Sequence, residues 1–149
     1  DEKKVETGNK VIIAGAGLTG SECAIELARE GKDVTIIDMM KPQKFLMDAS
    51  GQVMLSITRL HEELGIKKIF ESAITKICEN GISYRDKTGH EEFLEVDTII
   101  NALGMTVDRE KVKALENVIP NTWVIGDCGT GPMTIKNATE TGFTYAMEL

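Results

Sequence analysis

The feature that most constrains the fold lies in the first third of the chain. Two short β-branched runs, KVIIA at 10–14 and VTIID at 34–38, flank a glycine-rich turn and a helical pattern. The turn is GAGLTG at 15–20, and the helical segment SECAIELARE follows it and stops at Gly31. Short apolar runs bounded by turn signals are typical of strands buried on both faces. The pattern predicts a right-handed βαβ unit with parallel strands.

Later patterns extend this unit into a larger α/β fold. Apolar residues at helical spacing predict an amphipathic helix from Ser50 to Leu64 that ends at Gly65. The other predicted elements are a strand at 67–71, a meander over 73–96 around Asn80-Gly81, a strand at 96–103, a helix near 109–116, a strand at 122–125 and a closing helix from 135. We therefore expect a Rossmann-like parallel sheet with helices on both faces and an inserted antiparallel β-meander.

Composition argues against several classes of function. The formal net charge is -7, and the lysines and arginines are spread along the chain, so nucleic-acid binding has little electrostatic support. No apolar run approaches the roughly 20 residues of a membrane helix, and no basic apolar leader opens the chain. We therefore expect a cytoplasmic protein with no membrane partner.

Cysteine and histidine positions give no sign of metal or nucleophile chemistry. Cys23, Cys78 and Cys128 form no CxxC pair, so we expect three reduced thiols. His61 stands beside glutamates and is predicted on the exposed side of its helix, and neither it nor His90 adjoins a cysteine. We predict no metal site and name no catalytic residue in this chain.

The glycine motif has the properties of a pyrophosphate site. Gly15 permits the tight turn after the strand, and Gly20 allows the helix to pack closely. Because Gly17 has no Cβ, backbone N–H groups can approach the phosphates there. The following helix N-terminus offers unpaired N–H groups and a partial positive charge. A strand before the motif and a helix after it supply the context that a dinucleotide site requires.

Asp38 is the candidate residue for the adenosine ribose. It ends the second strand, where a carboxylate can accept hydrogen bonds from the 2′- and 3′-hydroxyls. A 2′-phosphate would bring like charges within a few ångströms, so the residue favours NAD over NADP. Lys41 and Lys44 keep the alternative open, because either could turn toward a 2′-phosphate.

Glu22 is the second acidic residue of interest. It follows Gly20 by two positions and is predicted in the first turn of the helix. From the residues alone, it is equally well explained as a carboxylate placed favourably on the helix dipole.

With these residues in place, the chain resembles the NADH-binding domain of two-dinucleotide flavoproteins, in which an NAD domain is inserted into an FAD domain. The resemblance rests on three signatures in order: KVIIAGAGLTGSECAIELAREGKDVTIID, TIINALG and WVIGDC. Within that superfamily, the chain looks most like the C-terminal part of the 2,4-dienoyl-CoA reductase and enoate reductase group. These are iron-sulfur flavoenzymes related to old yellow enzyme and trimethylamine dehydrogenase.

The resemblance implies a set of cofactor-binding residues and a division of the chain. The implied residues are Gly15, Gly17, Leu18, Thr19, Gly20, Glu22, Asp38, Met39, Ala102, Leu103, Gly104, Gly126 and Asp127. Residues 1–9 would be a linker, residues 10–120 the NAD(H)-binding domain, and residues 121–149 the returning edge of an FAD domain. NAD(H) would bind this chain, whereas FAD, FMN and a 4Fe-4S cluster would belong to the full-length protein, with a TIM-barrel domain as a further partner.

Two alternatives remain beside this interpretation. The chain could be a binding module that senses NADH without redox turnover, or the NADH domain of a disulfide or peroxide reductase. Because residue 1 is Asp rather than Met, we expect a processed chain or a piece of a longer one.

Overall fold

The computed structural model describes residues 5–47, 49–116, 118–119, 121–131 and 134–148. Contacts divide the chain into two units, residues 1–103 and residues 104–149. The first unit contains β1 (Lys10–Ala14), α1 (Leu18–Arg29), β2 (Asp33–Ile37), α2 (Gly51–Glu63), β3 (Lys67–Ile69), β4 (Ala73–Cys78), β5 (Gly81–Arg85), β6 (Glu91–Glu95) and β7 (Thr98–Asn101). The second contains α3 (Arg109–Glu116), α4 (Asp127–Thr130) and α5 (Ile135–Met147).

A parallel sheet forms the centre of the first unit. β1 pairs with β2 on one side and with β7 on the other, and β3 joins β2, giving the order β3-β2-β1-β7. From Val11 to Ala14, the β1 residues expose at most 5% of their surface. This burial confirms the predicted βαβ unit and the strand buried on both faces.

The two faces of the sheet are covered by different elements. Val11 and Ile13 pack with residues of α1 and α2, including Ala24 and Ile57. Ile12, which alternates with them along β1, points to the opposite face and packs with the meander. The α/β class is thus confirmed, with α1 and α2 on one face of the sheet.

The meander covers the second face, where the sequence predicted further helices. Its strands pair antiparallel in the order β4-β5-β6 as predicted. The predicted turn at Asn80-Gly81 was wrong by one residue, because Gly81 pairs with Cys78 as the first residue of β5 and the two turn residues are Glu79 and Asn80. Ile82 of β5 is completely buried against the sheet, in contact with residues of the β1 and β2 layer. The meander thus supplies the apolar surface that buries this face of the parallel sheet.

The last residues of the predicted linker are tied to the sheet. The N–H of Gly8 donates to Thr98 Oγ1 at 2.8 Å, and the N–H groups of Asn9 and Lys10 donate to Asp97 Oδ2 at 2.9 and 2.8 Å. These backbone hydrogen bonds hold the pKa of Asp97 below its usual value. The chain therefore enters β1 on a path fixed by the residues that precede and begin β7.

His61 is buried, and the prediction that it is exposed was wrong. Its side chain has no exposed surface, and its Nε2 donates to the carbonyl of Ser21 at 3.1 Å. The Phe45 ring lies against it, with ring centroids 5.8 Å apart. The acidic neighbours suggested a solvated face, but His61 follows the buried Ile57 by four residues and so shares its side of α2. The contact joins α2 to the N-terminal part of α1.

The regular secondary structure in the described residues of the second unit is helical. The predicted helices appear as α3 and α5, although Pro120 and Leu149, which were part of these predictions, lie outside the described residues. The predicted strand at 122–125 was wrong, because this run has no regular secondary structure. Among the described residues no strand pairs with it, and an unpaired run gains no ladder hydrogen bonds.

No helix in the described part of the chain is long and apolar enough to cross a membrane.

Replacing His61 with Gln should flatten the pH dependence of stability. Burial is the main cause that lowers the pKa of His61, and the charge of Lys68 acts in the same direction, against the hydrogen bond to Ser21. Below a pH of about 6.5 the unfolded chain binds a proton that the folded chain does not, so the free energy of unfolding should fall by at most about 1.4 kcal/mol per pH unit.

Urea unfolding of both proteins between about pH 8 and pH 5 measures this difference. Gln keeps an N–H donor for the Ser21 carbonyl and does not titrate, so the wild type should lose more stability on acidification. Equal slopes for the wild type and His61→Gln would contradict the prediction.

Candidate functional site

The glycine loop lies at the carboxyl edge of the parallel sheet, where β1 and β7 end side by side. The chain leaves β1 to form β2 on one side and returns as β7 on the other, so this edge is a topological switch point. Ligands of open α/β sheets bind outside the carboxyl ends of the strands at such a point. Within the first unit, the fold therefore brings to one edge the predicted residues after β1 and β2 together with Ala102 and Leu103 after β7.

Gly15 and Gly20 are required by the backbone of this edge. Gly15 has a φ of +115°, and a Cβ there would lie 2.2 Å from the carbonyl oxygen of Ala102. A Cβ on Gly20 would lie 2.1 Å from the carbonyl oxygen of Gly15. The N–H of Ala102 donates to the carbonyl of Ala14 at 2.8 Å, which holds the two turns together. Both glycines thus serve the tight turn and close packing that the sequence predicted.

Gly17 has a different environment. Its φ of -69° suits any residue, and a Cβ at this position would meet no atom within 4 Å. It is the N-cap of α1, and no described side chain caps this helix end. The first N–H groups of a helix lack intrahelical partners, so a helix start with open space beside it can accept an anion. Leu18 and Thr19, in the first turn, are exposed beside it.

Asp38 joins two loops at the same edge. Its Oδ2 accepts a hydrogen bond from the N–H of Ala16 at 2.7 Å, and its Oδ1 accepts one from the N–H of Met40 at 2.8 Å. A carboxylate has about four acceptor positions, so both oxygens keep capacity for further donors such as ribose hydroxyls. The sequence analysis identified Asp38 but missed both partners. The N–H of Ala16 lies 22 positions away along the chain, whereas the bond to Met40 is the local turn that an Asp forms with its own backbone two residues on.

A cleft of about 140 Å³ lies beside Asp38. Met39, Leu103 and the strand-end residues Ala14 and Ile37 also line it. The side chains of Met39 and Leu103 are 73% and 71% exposed, respectively. Exposed apolar side chains next to a carboxylate suit a ligand that combines an apolar ring with hydroxyl groups.

Larger clefts occur away from the glycine loop. One of about 380 Å³ lies in the second unit beside Arg109 and Trp123, and one of about 330 Å³ lies at the amino ends of β1 and β2 beside Lys10. Neither is lined by a residue of the glycine loop. The backbone geometry and the position of Asp38, rather than volume, therefore locate the candidate site.

Asn101 is a positioning residue that sequence reasoning missed. Its Oδ1 accepts a hydrogen bond from the N–H of Leu103 at 3.1 Å, which shapes the turn after β7. An Asn at a strand end that bonds its own backbone two residues on is a recognised turn signal. Gly104, the next predicted site residue, has a φ of +82° and begins the second unit.

Glu22 lies in the second turn of α1, so its predicted place in the first turn was wrong. The helix begins at Leu18, and its first turn contains no acidic residue. The influence of the helix dipole declines within the first turn, which weakens that explanation for Glu22. Its side chain is exposed.

Gly126 and Asp127 belong to the second unit. Gly126 has a φ of +61°, and its N–H donates to Thr141 Oγ1 of α5 at 2.9 Å. Asp127 is exposed at the start of α4, and its carbonyl accepts a hydrogen bond from Gly131 at 3.0 Å. The Gly-Asp turn is thus held to α5 through its backbone.

Thiol and metal chemistry find little support among the described residues. Cys23, Cys78 and Cys128 are free in the structure. Burial raises the pKa of the Cys23 thiol, and the charge of Glu26 adds to the effect, so this thiol is protonated at neutral pH. No group of three or more His, Cys, Asp or Glu side chains in the described part of the chain could hold a metal ion.

Alanine substitutions should separate the structural glycines from Gly17. Gly15→Ala and Gly20→Ala should each lower the free energy of unfolding by about 1–3 kcal/mol, because the new Cβ would displace backbone atoms. Gly17→Ala and the control Gly51→Ala add a Cβ in open space and should change it by less than about 0.5 kcal/mol. Urea unfolding measures all four variants, and a Gly20→Ala protein as stable as the wild type would contradict the assignment.

Proteins similar to this chain are reductases and oxidases of much greater length. The chain is 28% identical to an NADH oxidase from Thermoanaerobacter brockii over 94% of its own length and 21% of that protein. It is 28% identical to a cinnamate reductase from Clostridium sporogenes over 84% of its length and 19% of that protein. A solved structure of 2-naphthoyl-CoA reductase matches with a TM-score of 0.76 and 27% identity, covering 99% of this chain and 22% of the other. The chain therefore spans about a fifth of each of these proteins.

The family assignment rests on a match that covers most of the chain. The family model of pyridine nucleotide-disulphide oxidoreductases matches residues 1–142. This range includes the glycine loop, Asp38, the turn after β7 and the Gly126-Asp127 turn. The chain belongs to the pyridine nucleotide-disulphide oxidoreductase family.

Proposed function

We propose that this chain is the NADH-binding domain of a larger flavin-dependent oxidoreductase. In this proposal it positions NADH for hydride transfer to FAD in an NADH-dependent 2,4-dienoyl-CoA or enoate reductase, an enzyme that reduces a C=C bond. The isolated chain contributes binding and orientation and should not be active alone. A cytoplasmic location remains a prediction.

The environment of Gly17 is the observation that carries the proposal. Neither the φ of Gly17 nor any neighbouring atom requires glycine at that position. At Gly15, by contrast, both the positive φ and the nearby carbonyl oxygen of Ala102 require it. A pyrophosphate close to the N-terminus of α1 supplies the missing reason, because a Cβ would occupy its space. Asp38 lies at the same edge with acceptor capacity for the ribose hydroxyls.

The remaining candidate residues have supporting roles in the same proposal. Met39 and Leu103 would contact the adenosine part of the dinucleotide through the cleft that they share with Asp38. Leu18, Thr19, Ala102 and Gly104 would complete the surface around the pyrophosphate, and Glu22 would lie near the nicotinamide. When bound, NADH would supply the hydride, and the FAD, FMN and 4Fe-4S cluster of the parent enzyme would supply electron transfer.

Residues 121–149 are proposed as the returning edge of an FAD domain, with Gly126 and Asp127 facing the flavin nucleotide. Large apolar side chains in this segment support that idea, since Ile135, Phe143 and Met147 are 88%, 67% and 72% exposed, respectively. Exposed apolar side chains on a helix mark a surface that other protein covers. The rest of the FAD domain and a TIM-barrel domain would be the partners within the parent chain.

The substrate class rests on the similar proteins. Two of these proteins are called a cinnamate reductase and a 2-naphthoyl-CoA reductase. Their names give an unsaturated acid and a CoA thioester as the compounds that they reduce. The description of the family favours a second candidate, the NADH domain of a disulfide reductase. An NADH-sensing module without turnover is the third. All three require the same dinucleotide site.

Calorimetric titration of the purified chain with NADH, NADPH and FAD tests the proposal. NADH should bind with a Kd below about 1 mM, and NADPH should bind at least about tenfold more weakly because its 2′-phosphate approaches Asp38. FAD should bind poorly, because this chain has one complete glycine loop of the GxGxxG type. No NADH binding, a preference for NADPH or stoichiometric FAD would overturn the proposal.

Gly17→Ala should weaken NADH binding by about tenfold or more, because the added Cβ displaces a phosphate from charge-assisted N–H bonds. Gly51→Ala is the matched control, since it also adds a Cβ in open space near a helix start. The same titration should give the Gly51→Ala protein a Kd like that of the wild type. Equal Kd values for the two variants would show that the pyrophosphate does not lie against Gly17.

A further inference from the structure

We propose that Asp38 is a positioning residue for the glycine loop, in addition to its predicted contact with the ribose. Through its carboxylate it would hold the backbone of residues 15–17 in the shape that the pyrophosphate requires. The inference rests on the proposed function, because the ligand that reports on the loop is an adenine nucleotide.

The carboxylate of Asp38 bridges two loops. The Oδ2 atom accepts from Ala16 in the loop after β1, at 2.7 Å, and Oδ1 accepts from Met40 in the loop after β2, at 2.8 Å. Both distances are in the short range typical of charge-assisted bonds. A single carboxylate therefore fixes the spacing between the two loops that flank the candidate site.

The backbone of Asp38 connects a third segment to this bridge. Its N–H donates to the carbonyl of Ile69 at 2.9 Å, and its carbonyl accepts from Ser72 at 3.0 Å. The N–H of Glu71 donates to the carbonyl of Met40 at 3.0 Å. Because the last residue of β3 and the residues that follow it hold the Asp38 backbone, its side chain is a fixed point against which the glycine loop is placed.

Burial makes the Ala16 bond costly to lose. Ala16 has no exposed surface, so water cannot reach its N–H without movement of the loop. A buried donor without an acceptor is strongly unfavourable, and the loop would shift to relieve it. Such a shift would move Gly17 and the first N–H groups of α1, which are the proposed phosphate contacts.

The two roles of Asp38 can be separated with a ligand that lacks the ribose hydroxyls. ADP presents both the hydroxyls and the pyrophosphate, whereas 2′,3′-dideoxy-ADP presents only the pyrophosphate and the base. A residue that acts only on the ribose hydroxyls would leave dideoxy-ADP binding unchanged when it is removed. A residue that positions the loop would affect both ligands.

The test compares Asp38→Ala with Asp33→Ala by calorimetry, using ADP and 2′,3′-dideoxy-ADP. Asp33 is the matched control because it is an Asp at the other end of β2, in an exposed ion pair with Lys67 at 2.9 Å. Asp38→Ala should weaken dideoxy-ADP binding by about tenfold and ADP binding by more, whereas Asp33→Ala should change either by less than about twofold. Unchanged dideoxy-ADP binding in Asp38→Ala would overturn the proposal.

Amide hydrogen exchange provides a readout that needs no ligand. In Asp38→Ala the exchange protection of the Ala16 and Met40 amides should fall by about tenfold or more relative to Asp33→Ala, while the amides of β1 keep their protection. Unchanged protection at Ala16 would overturn the positioning role. If the wild type bound neither nucleotide, the proposed function would fail, and the exchange result would still decide whether Asp38 holds the loop.

Discussion

The candidate site depends on the close approach of two backbone turns, one after β1 and one after β7, at the carboxyl edge of the sheet. A Cβ at Gly15 would lie 2.2 Å from the carbonyl oxygen of Ala102, and one at Gly20 would lie 2.1 Å from the carbonyl oxygen of Gly15. Glycine at both positions lets β1 and β7 end side by side while α1 begins directly after the loop.

Hydrogen bonds from outside the loop hold this arrangement. Asp38 accepts from Ala16 before α1 begins, and His61 donates to the carbonyl of Ser21 inside the first turns of α1. One bond comes from the end of β2 and the other from α2, so two elements hold the same short stretch of chain. An edge restrained in this way is preorganised, which reduces the ordering cost of binding a ligand.

Local patterns predicted the elements because each element is specified by its own residues. The β-branched run at 10–14 and the apolar spacing from Ser50 to Leu64 are signals carried within a single short segment. Two of the predictions that failed depended on distant partners. The run at 122–125 resembles a strand but has no paired strand among the described residues, and His61 is buried by Phe45 and α1 rather than by its own neighbours.

The sequence by itself determined the βαβ unit, the position of the glycine loop and the identity of Asp38 as the acid at the end of β2. It did so because hydrophobic periodicity and glycine conformation are properties of short segments. Only the tertiary structure decided that Asp38 accepts a hydrogen bond from Ala16 and that Phe45 and α1 bury His61. These contacts join segments that are separated along the chain, and no local pattern encodes them.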